Sequence, residues 1–270
     1  MKEIWVIKRD GKIERFSRDK VLRSLLRVGL SESEAWEVLT ELEKILPEMT
    51  TTRYIHRVIK NILSYQHPHA KHRYTLKQAI MKLGPEGYPF EKYFAKLLET
   101  QGYRVRTNII FEGRCVSHEV DVVAEKNDKR YMVECKYHNS QGIYTGIKVA
   151  LYVKARLEDL SEYFDNAWLA TNTKFSEEAI QYVQCVGMKA TAWSYPPGEA
   201  LEDLVEKTRL YPLTILDDIP RRFRVKLLKA GMVTLRDFVS AQPRRLAEIT
   251  GLSEHDIEVL QKKGRIVLEK

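Results

Sequence analysis

The chain is 270 residues long, with 44% hydrophobic and 30% charged residues, which excludes a disordered or fibrous polypeptide. At roughly 100–200 residues per domain, that length allows two domains or three small ones. Lysine and arginine outnumber aspartate and glutamate by 45 to 37, giving a net charge of +8. The excess favours an anionic partner such as nucleic acid, nucleotide or an acidic membrane surface, and a densely charged solvated face explains it equally well. Three widely spaced cysteines, Cys115, Cys135 and Cys185, imply neither a disulfide framework nor a CxxC metal site. With no basic-then-apolar leader and no apolar run of about 18 residues, the expectation is a cytoplasmic protein with reduced thiols and no membrane partner.

In chain order, residues 4–8 and 12–16 read as two short strands joined by Arg9-Asp10-Gly11. Asp-Gly between extended runs signals a hairpin, because both residues tolerate positive φ. Helical spacing follows over residues 18–28, 31–46, 52–65 and 70–83, the second opened by a Ser31/Glu34 capping box. Gly84-Pro85-Glu86-Gly87-Tyr88-Pro89 is a break. Beyond it the pattern is helix 90–101, strands 103–110, 117–125 and 131–137, helix 147–159, strand 166–170, helix 176–186 and strand 189–193. That alternation describes an α/β sandwich. Tyr195-Pro196-Pro197-Gly198 is a second break, followed by a linking helix at 201–208 and only helices from about residue 213. Residues 227–231 and 246–251 each end an apolar helix on glycine, a two-copy hint of a repeat. The expected domains are 1–84, 85–198 and 199–270.

Chemistry concentrates in Glu119-Val120-Asp121-Val122-Val123, a turn, and Val133-Glu134-Cys135-Lys136. Residues two apart on a strand share a face, so Glu134 and Lys136 project together and Cys135 points away. A twisted hairpin brings Asp121 beside Glu134. Two converging carboxylates suit a hard divalent cation, and a neighbouring lysine can orient water and stabilise a pentavalent phosphate. Charged residues on the solvent face of a hairpin are ordinary, but here apolar strand residues flank them, and a charge on a central strand calls for a reason.

Phe90-Glu91, Leu98, Gly102-Tyr103, Glu119-Val120-Asp121 and Glu134-Cys135-Lys136 together resemble the PD-(D/E)xK nuclease superfamily, in particular Mrr-type restriction endonucleases and archaeal Holliday-junction resolvases. The resemblance covers about residues 87–193. It implies a Mg²⁺-dependent deoxyribonuclease in which Asp121 and Glu134 bind Mg²⁺ or Mn²⁺, with the Cys135 carbonyl as a further ligand. The resemblance also implies that Lys136 positions the attacking water and that Glu91 is the accessory acidic residue. Glu119, Gln141, His138, Tyr144, Lys148 and Lys154 are subsidiary candidates, each explained as well by a solvated surface. Related cores often pair to cut both strands, which puts a homodimer among the expectations.

Val6-Ile7-Lys8-Arg9-Asp10-Gly11, Glu14-Arg15-Phe16, Asp19-Lys20 and Thr52-x2-Ile55-His56 resemble the ATP-cone, a nucleotide-binding regulatory domain. That resemblance implies a nucleotide triphosphate, ATP or dATP, held as an effector by Lys8, Arg9, Lys20 and Thr52 with Glu14 and His56. The chain has no Walker loop for hydrolysis. A basic hairpin touching DNA phosphates directly is the alternative. Residues 216–238 and 243–262 resemble tandem helix-hairpin-helix modules, implying DNA contacts through Arg221, Arg222, Gly251 and Ser253. The first hairpin lacks the expected glycines, and a purely protein-binding helical module is the alternative there.

The combined fold class is an α/β multidomain chain. It has a restriction-endonuclease-like α/β/α core, a small N-terminal hairpin-plus-helices ATP-cone and an all-α C-terminal helix-hairpin-helix module. The expected function is metal-dependent DNA endonuclease activity modulated by ATP or dATP. The competing expectations are a nucleotide-responsive DNA-binding regulator with an inactive nuclease fold, and a reductase-related regulator without DNA affinity.

Overall fold

The computed structural model describes residues 3–8 and 11–268. The chain divides into two compact units, one ending at Leu76 and the other beginning at Lys77.

In the first unit, β1 (Trp5–Ile7) pairs antiparallel with β2 (Ile13–Arg15), as the hairpin signal predicts. Gly11 closes the turn at φ +83°, its N–H bonded to the Lys8 carbonyl at 3.1 Å. Arg9, expected at the nucleotide site, lies outside the described residues, as does Asp10. Helices α1 (Arg18–Arg27) and α2 (Glu32–Ile45) follow. The Ser31/Glu34 capping box forms in both directions, with Glu34 Oε2 accepting from the Ser31 N–H at 2.8 Å. A third strand, β3 (Met49–Thr51), pairs parallel with β1 and was not expected, since three residues are too few to display alternation. Helix α3 (Thr52–Gln66) leads into α4 (Pro68–Ile80). Leu25, Leu39, Leu42, Ile59 and Leu63 form the core of this unit.

The second unit is built on a five-stranded sheet. After α5 (Tyr88–Thr100) come β4 (Arg104–Glu112), β5 (Ser117–Lys126) and β6 (Lys129–Lys136), an antiparallel meander. Asn127 and Asp128, both at positive φ, make the two-residue turn between β5 and β6. A short strand, β7 (Tyr144–Thr145), precedes α6 (Ile147–Asp159). Then come β8 (Asn166–Thr171), the short β9 (Lys174–Phe175), α7 (Glu177–Cys185) and β10 (Lys189–Thr191). The order is β10-β8-β6-β5-β4, with β6, β8 and β10 parallel, and β7 pairs with β9 outside the main sheet. Parallel neighbours need long crossovers, which α6 and α7 supply. On their side Val153, Leu157, Ala179 and Val183 pack with Val123, Met132, Ala167 and Leu169. Trp168, of opposite parity on β8, meets Phe94 of α5 edge-on at 5.9 Å. Helices thus cover both faces, and the sheet is a mixed α/β layer structure.

The rest of this unit is helical: α8 (Leu201–Thr208), a 3₁₀ turn (Leu213–Ile215), α9 (Arg221–Lys229), α10 (Leu235–Ser240), α11 (Pro243–Thr250) and α12 (Glu254–Leu268). It docks on the preceding segment through buried polar contacts. Tyr93 Oη donates to the Leu210 carbonyl and Thr214 Oγ1 to the Ala79 carbonyl, both at 2.6 Å. Among the described residues no helix is long and apolar enough to cross a membrane.

Candidate active site

The geometry of the site begins where β5 and β6 part. Their ladder runs from Lys126–Lys129 to Val122–Val133 and stops, so the next facing positions are Asp121 and Glu134. There a side chain takes over from the main chain: Asp121 Oδ2 accepts the Cys135 N–H at 2.7 Å. Meanwhile β6 stays paired with β8 as far as Lys136 opposite Thr171. Thr171 Oγ1 donates to the Lys136 carbonyl at 2.7 Å. Beyond the strand end, Asn172 extends the pairing with its side chain, accepting the His138 N–H at 2.8 Å and donating to the His138 carbonyl at 2.9 Å. Glu134, Cys135 and Lys136 therefore sit on a firmly held central strand. Lys136 reaches solvent while Val133 and Cys135 are buried.

Across from Asp121, between the pairs Thr107–Val122 and Ile109–Val120, Asn108 adopts a left-handed conformation at φ +54°. Asparagine tolerates this region better than most residues. Asn108 Nδ2 donates to Glu91 Oε2 at 3.2 Å and to Glu119 Oε1 at 3.3 Å, tying α5 to β5. Burial raises the Glu91 carboxyl above its usual range, and the Asp121 charge raises it further. Burial likewise raises Asp121, against the Cys135 N–H and Arg156, which lower it. Glu134 is pushed up to about 7 by burial and then by the Asp121 charge, with Arg156 opposing. Four carboxylates, Glu91, Glu119, Asp121 and Glu134, thus share one neighbourhood with two cations, Lys136 and Arg156. The Cys135 thiol is buried and its pKa raised, so any contribution of this residue to a metal comes from its main chain.

Arg156 was not among the expected residues. It lies on α6 with its side chain 7% exposed; Nη1 donates to Glu134 Oε2 and Nη2 to the Glu119 carbonyl. The signal for it was present in the sequence. Ala150, Val153 and Leu157 form the buried stripe of α6, and Arg156 falls within that stripe. Lys148 and Lys154, the expected candidates on this helix, lie elsewhere: Lys148 is exposed and Lys154 pairs with Glu158 at 3.4 Å. His138 is half-buried, its Nε2 2.9 Å from Thr145 Oγ1. Burial and the Lys136 charge depress its pKa. At the end of α6, Asp159 binds His118 Nε2 at 2.8 Å and the N–H groups of Cys115 and Val116. These contacts, led by His118, lower its pKa to about 2. They clamp the β4–β5 turn, where a Cβ on Gly113 would come within 2.3 Å of Asp159 Oδ2.

The candidate ligands elsewhere are grouped differently. In the first unit Lys8 and Lys20 converge on Glu14 Oε1 at 2.9 and 3.0 Å, and the contact lowers the Glu14 pKa. Thr52 begins α3 directly after Thr51, which pairs with Ile7 on β1, so Lys8 and Thr52 leave adjacent strand ends. His56, one turn on, meets the Tyr74 ring at 4.4 Å with the planes tilted by 53°, and burial lowers its pKa. In the helical region Arg221 and Arg222 are exposed at the start of α9. Gly251, at φ +81°, caps α11, and Ser253 caps the next helix by accepting the Asp256 N–H at 3.1 Å. Lys226 Nζ donates to the Thr250 carbonyl at 3.0 Å, a cation beside that hairpin.

The sheet order and the carboxylate cluster at the strand fork accord with a match of residues 84–194 to the Mrr catalytic family, described as restriction endonuclease. Residues 84–194 are a restriction endonuclease-like domain. An uncharacterized protein of Archaeoglobus fulgidus is 46% identical over 174 residues, which are 64% of this chain and 99% of that relative. This chain and that archaeal protein belong to one family. The crystal structure of a protein of unknown function is 45% identical with a TM-score of 0.61, covering 68% of this chain and 99% of that one. Can2 from Sulfobacillus thermosulfidooxidans, solved with cyclic tetra-adenylate, has a TM-score of 0.33 at 16% identity, covering 44% of this chain and 36% of its own, a likeness too slight to carry an argument. Within the restriction endonuclease-like domain, no three His, Cys, Asp or Glu side chains among the described residues converge to hold a metal by themselves. A cation here would rest on two carboxylates, main-chain oxygen and its own water.

Proposed function

We infer that this protein is a DNA endonuclease whose restriction endonuclease-like domain hydrolyses phosphodiester bonds with Mg²⁺ or Mn²⁺ held by Asp121, Glu134 and the Cys135 carbonyl. The observation that carries this reading is the meeting of Asp121 and Glu134 where β5 and β6 part, with Lys136 on the same strand. The donor set fits a hard cation. Asp121 gives one oxygen to the Cys135 N–H and Glu134 gives one to Arg156, and neither remaining oxygen has a hydrogen bond among the described residues. Mg²⁺ is commonly held by only one or two carboxylates, with water and substrate phosphate completing its shell. When bound, the cation polarises phosphorus–oxygen bonds and lowers the pKa of water. Lys136, on a fixed strand and open to solvent, orients the attacking water and faces the phosphate with positive charge. Glu91, bound to Asn108, adds negative charge at the rim.

The first unit is proposed to bind ATP or dATP without hydrolysis, through Lys8, Arg9, Lys20 and Thr52, with His56 one helical turn away. Glu14 pairs with both lysines in the absence of ligand and offsets one of their two charges, and a triphosphate would compete with it. The C-terminal hairpins are proposed to grip DNA phosphates through the Gly251–Ser253 turn with Lys226 and through Arg221 and Arg222. A DNA-binding regulator with an inactive nuclease fold is the second reading; it would hold if the Arg156 pair kept Glu134 from a cation rather than orienting it. Incubating supercoiled DNA with wild type, Asp121→Ala and Lys136→Ala in Mg²⁺, Mn²⁺ or EDTA tests both. Metal-dependent cleavage lost in both variants supports the nuclease. DNA retention by an inert wild type supports the regulator.

A further inference from the structure

The charge that holds Glu134 in place comes from Arg156, a residue almost wholly shut off from solvent. Its side chain is 7% exposed, yet both of its bonds end on the strands that build the site. One goes to the Glu134 carboxylate on β6 and the other to the Glu119 carbonyl on β5, two positions before Asp121. Nε finds no acceptor among the described residues, and the guanidinium carbon lies 5.4 Å from the ring of Tyr152, one turn back on α6. Burying an arginine with an unmet donor is costly, so its two bonds must stabilise something the fold needs there. Those bonds bridge the diverging strands just where their ladder has ended.

The geometry points to Arg156 as a positioning residue for the divalent cation, an inference that rests on the metal-nuclease reading above. The planar fork fixes the β5–β6 separation and turns Glu134 by one oxygen, leaving the other free to bind the ion. The Cys135 N–H does the same for Asp121. Each carboxylate is thus oriented before the cation arrives, and the ion need not pay for ordering them. Arg156 also offsets the mutual repulsion of Glu91, Glu119, Asp121 and Glu134 while no cation is bound. A lysine at this position would keep the charge and lose the fork, since a single ammonium on an unbranched stem cannot span both acceptors in fixed geometry.

The test is calorimetric titration of Mn²⁺ alone into the DNA-free full chain, for wild type, Arg156→Gln and Arg156→Lys. Partners of metal ligands typically contribute 10- to 100-fold in affinity. The expected result is a Kd raised about tenfold or more in Arg156→Gln, with Arg156→Lys in between. Cleavage followed against Mn²⁺ concentration should show half-saturation shifted by the same factor and the maximal rate largely recovered at high Mn²⁺. A purely structural role would reduce the active fraction without moving half-saturation. If Arg156→Gln binds Mn²⁺ as tightly as wild type, or more tightly, the positioning role is overturned; tighter binding would make Arg156 a competitor of the ion. Should Arg156→Gln lose cooperative unfolding, Arg156→Lys decides, an unchanged Kd overturning the inference. A wild type that takes up no Mn²⁺ instead sinks the metal-nuclease reading beneath it.

Discussion

Two clusters of charged residues each bring carboxylates together with cations, and they behave in opposite ways. In the first unit Lys8, Lys20 and Glu14 meet at the surface, with side chains 33–58% exposed, and one carboxylate is shared between two cations. Water screens them, so the cluster costs little to keep and little to disrupt. At the fork of β5 and β6 the carboxylates are largely buried, their pKa values raised, and each is held by a specific donor. A protein tolerates buried like charges only where surrounding structure over-determines them, and such places are where function concentrates. The contrast is why the proposed chemistry is placed at the fork, and the proposed nucleotide contact at the exchangeable surface trio.

Substitutions should separate the two clusters, beginning with the largest effects. Asp121→Ala or Lys136→Ala should lower metal-dependent cleavage by roughly 10²–10³-fold or more, measured as nicking rate, with far-UV circular dichroism unchanged. If either variant cuts at the wild-type rate, that residue has no part in the chemistry. Phe94→Ala, which removes a fully buried ring packed edge-on against Trp168, should cost about 3–5 kcal/mol in denaturant unfolding. A smaller loss would mean that α5 does not anchor the sheet beneath the site.

Asp159 gives a pH signature distinct from the fork. Its pKa falls from 3.8 to about 2 on folding, first through His118, so its stabilisation is present above pH 3.8 and is lost as pH falls toward 2. Asp159→Asn should therefore melt below wild type at pH 7, and the gap should close as the pH drops through that window. A gap independent of pH would assign the effect to packing rather than to charge. Lys20→Ala should leave the melting midpoint nearly unchanged, because the pair is exposed. It should weaken ATP binding about tenfold, the scale of one lost charged hydrogen bond. Unaltered ATP affinity would remove Lys20 from the nucleotide site.

The fork was legible in the sequence because Asp121 and Glu134-Cys135-Lys136 interrupt apolar strands, and period-two alternation fixes which of them project together. The hairpin at the start of the chain was legible from Asp10-Gly11. Charge alone points to the lysines on the helix surface, whereas the place of Arg156 among Ala150, Val153 and Leu157 marks it as buried. Asn108 gave no signal, since one asparagine inside an extended run does not show that its backbone turns left-handed opposite Asp121. Strands β3, β7 and β9, of two or three residues, are too short for any periodicity and exist because neighbouring strands supply their partners.

The most direct single measurement is nicking of supercoiled plasmid by the full chain in Mg²⁺ or Mn²⁺ beside an EDTA control, with Asp121→Ala in parallel. Open-circular and linear DNA from wild type with metal, and none in EDTA or from the variant, is the expected result. Cleavage that survives EDTA, or proceeds unchanged without the Asp121 carboxylate, would contradict a cation held at the fork of β5 and β6.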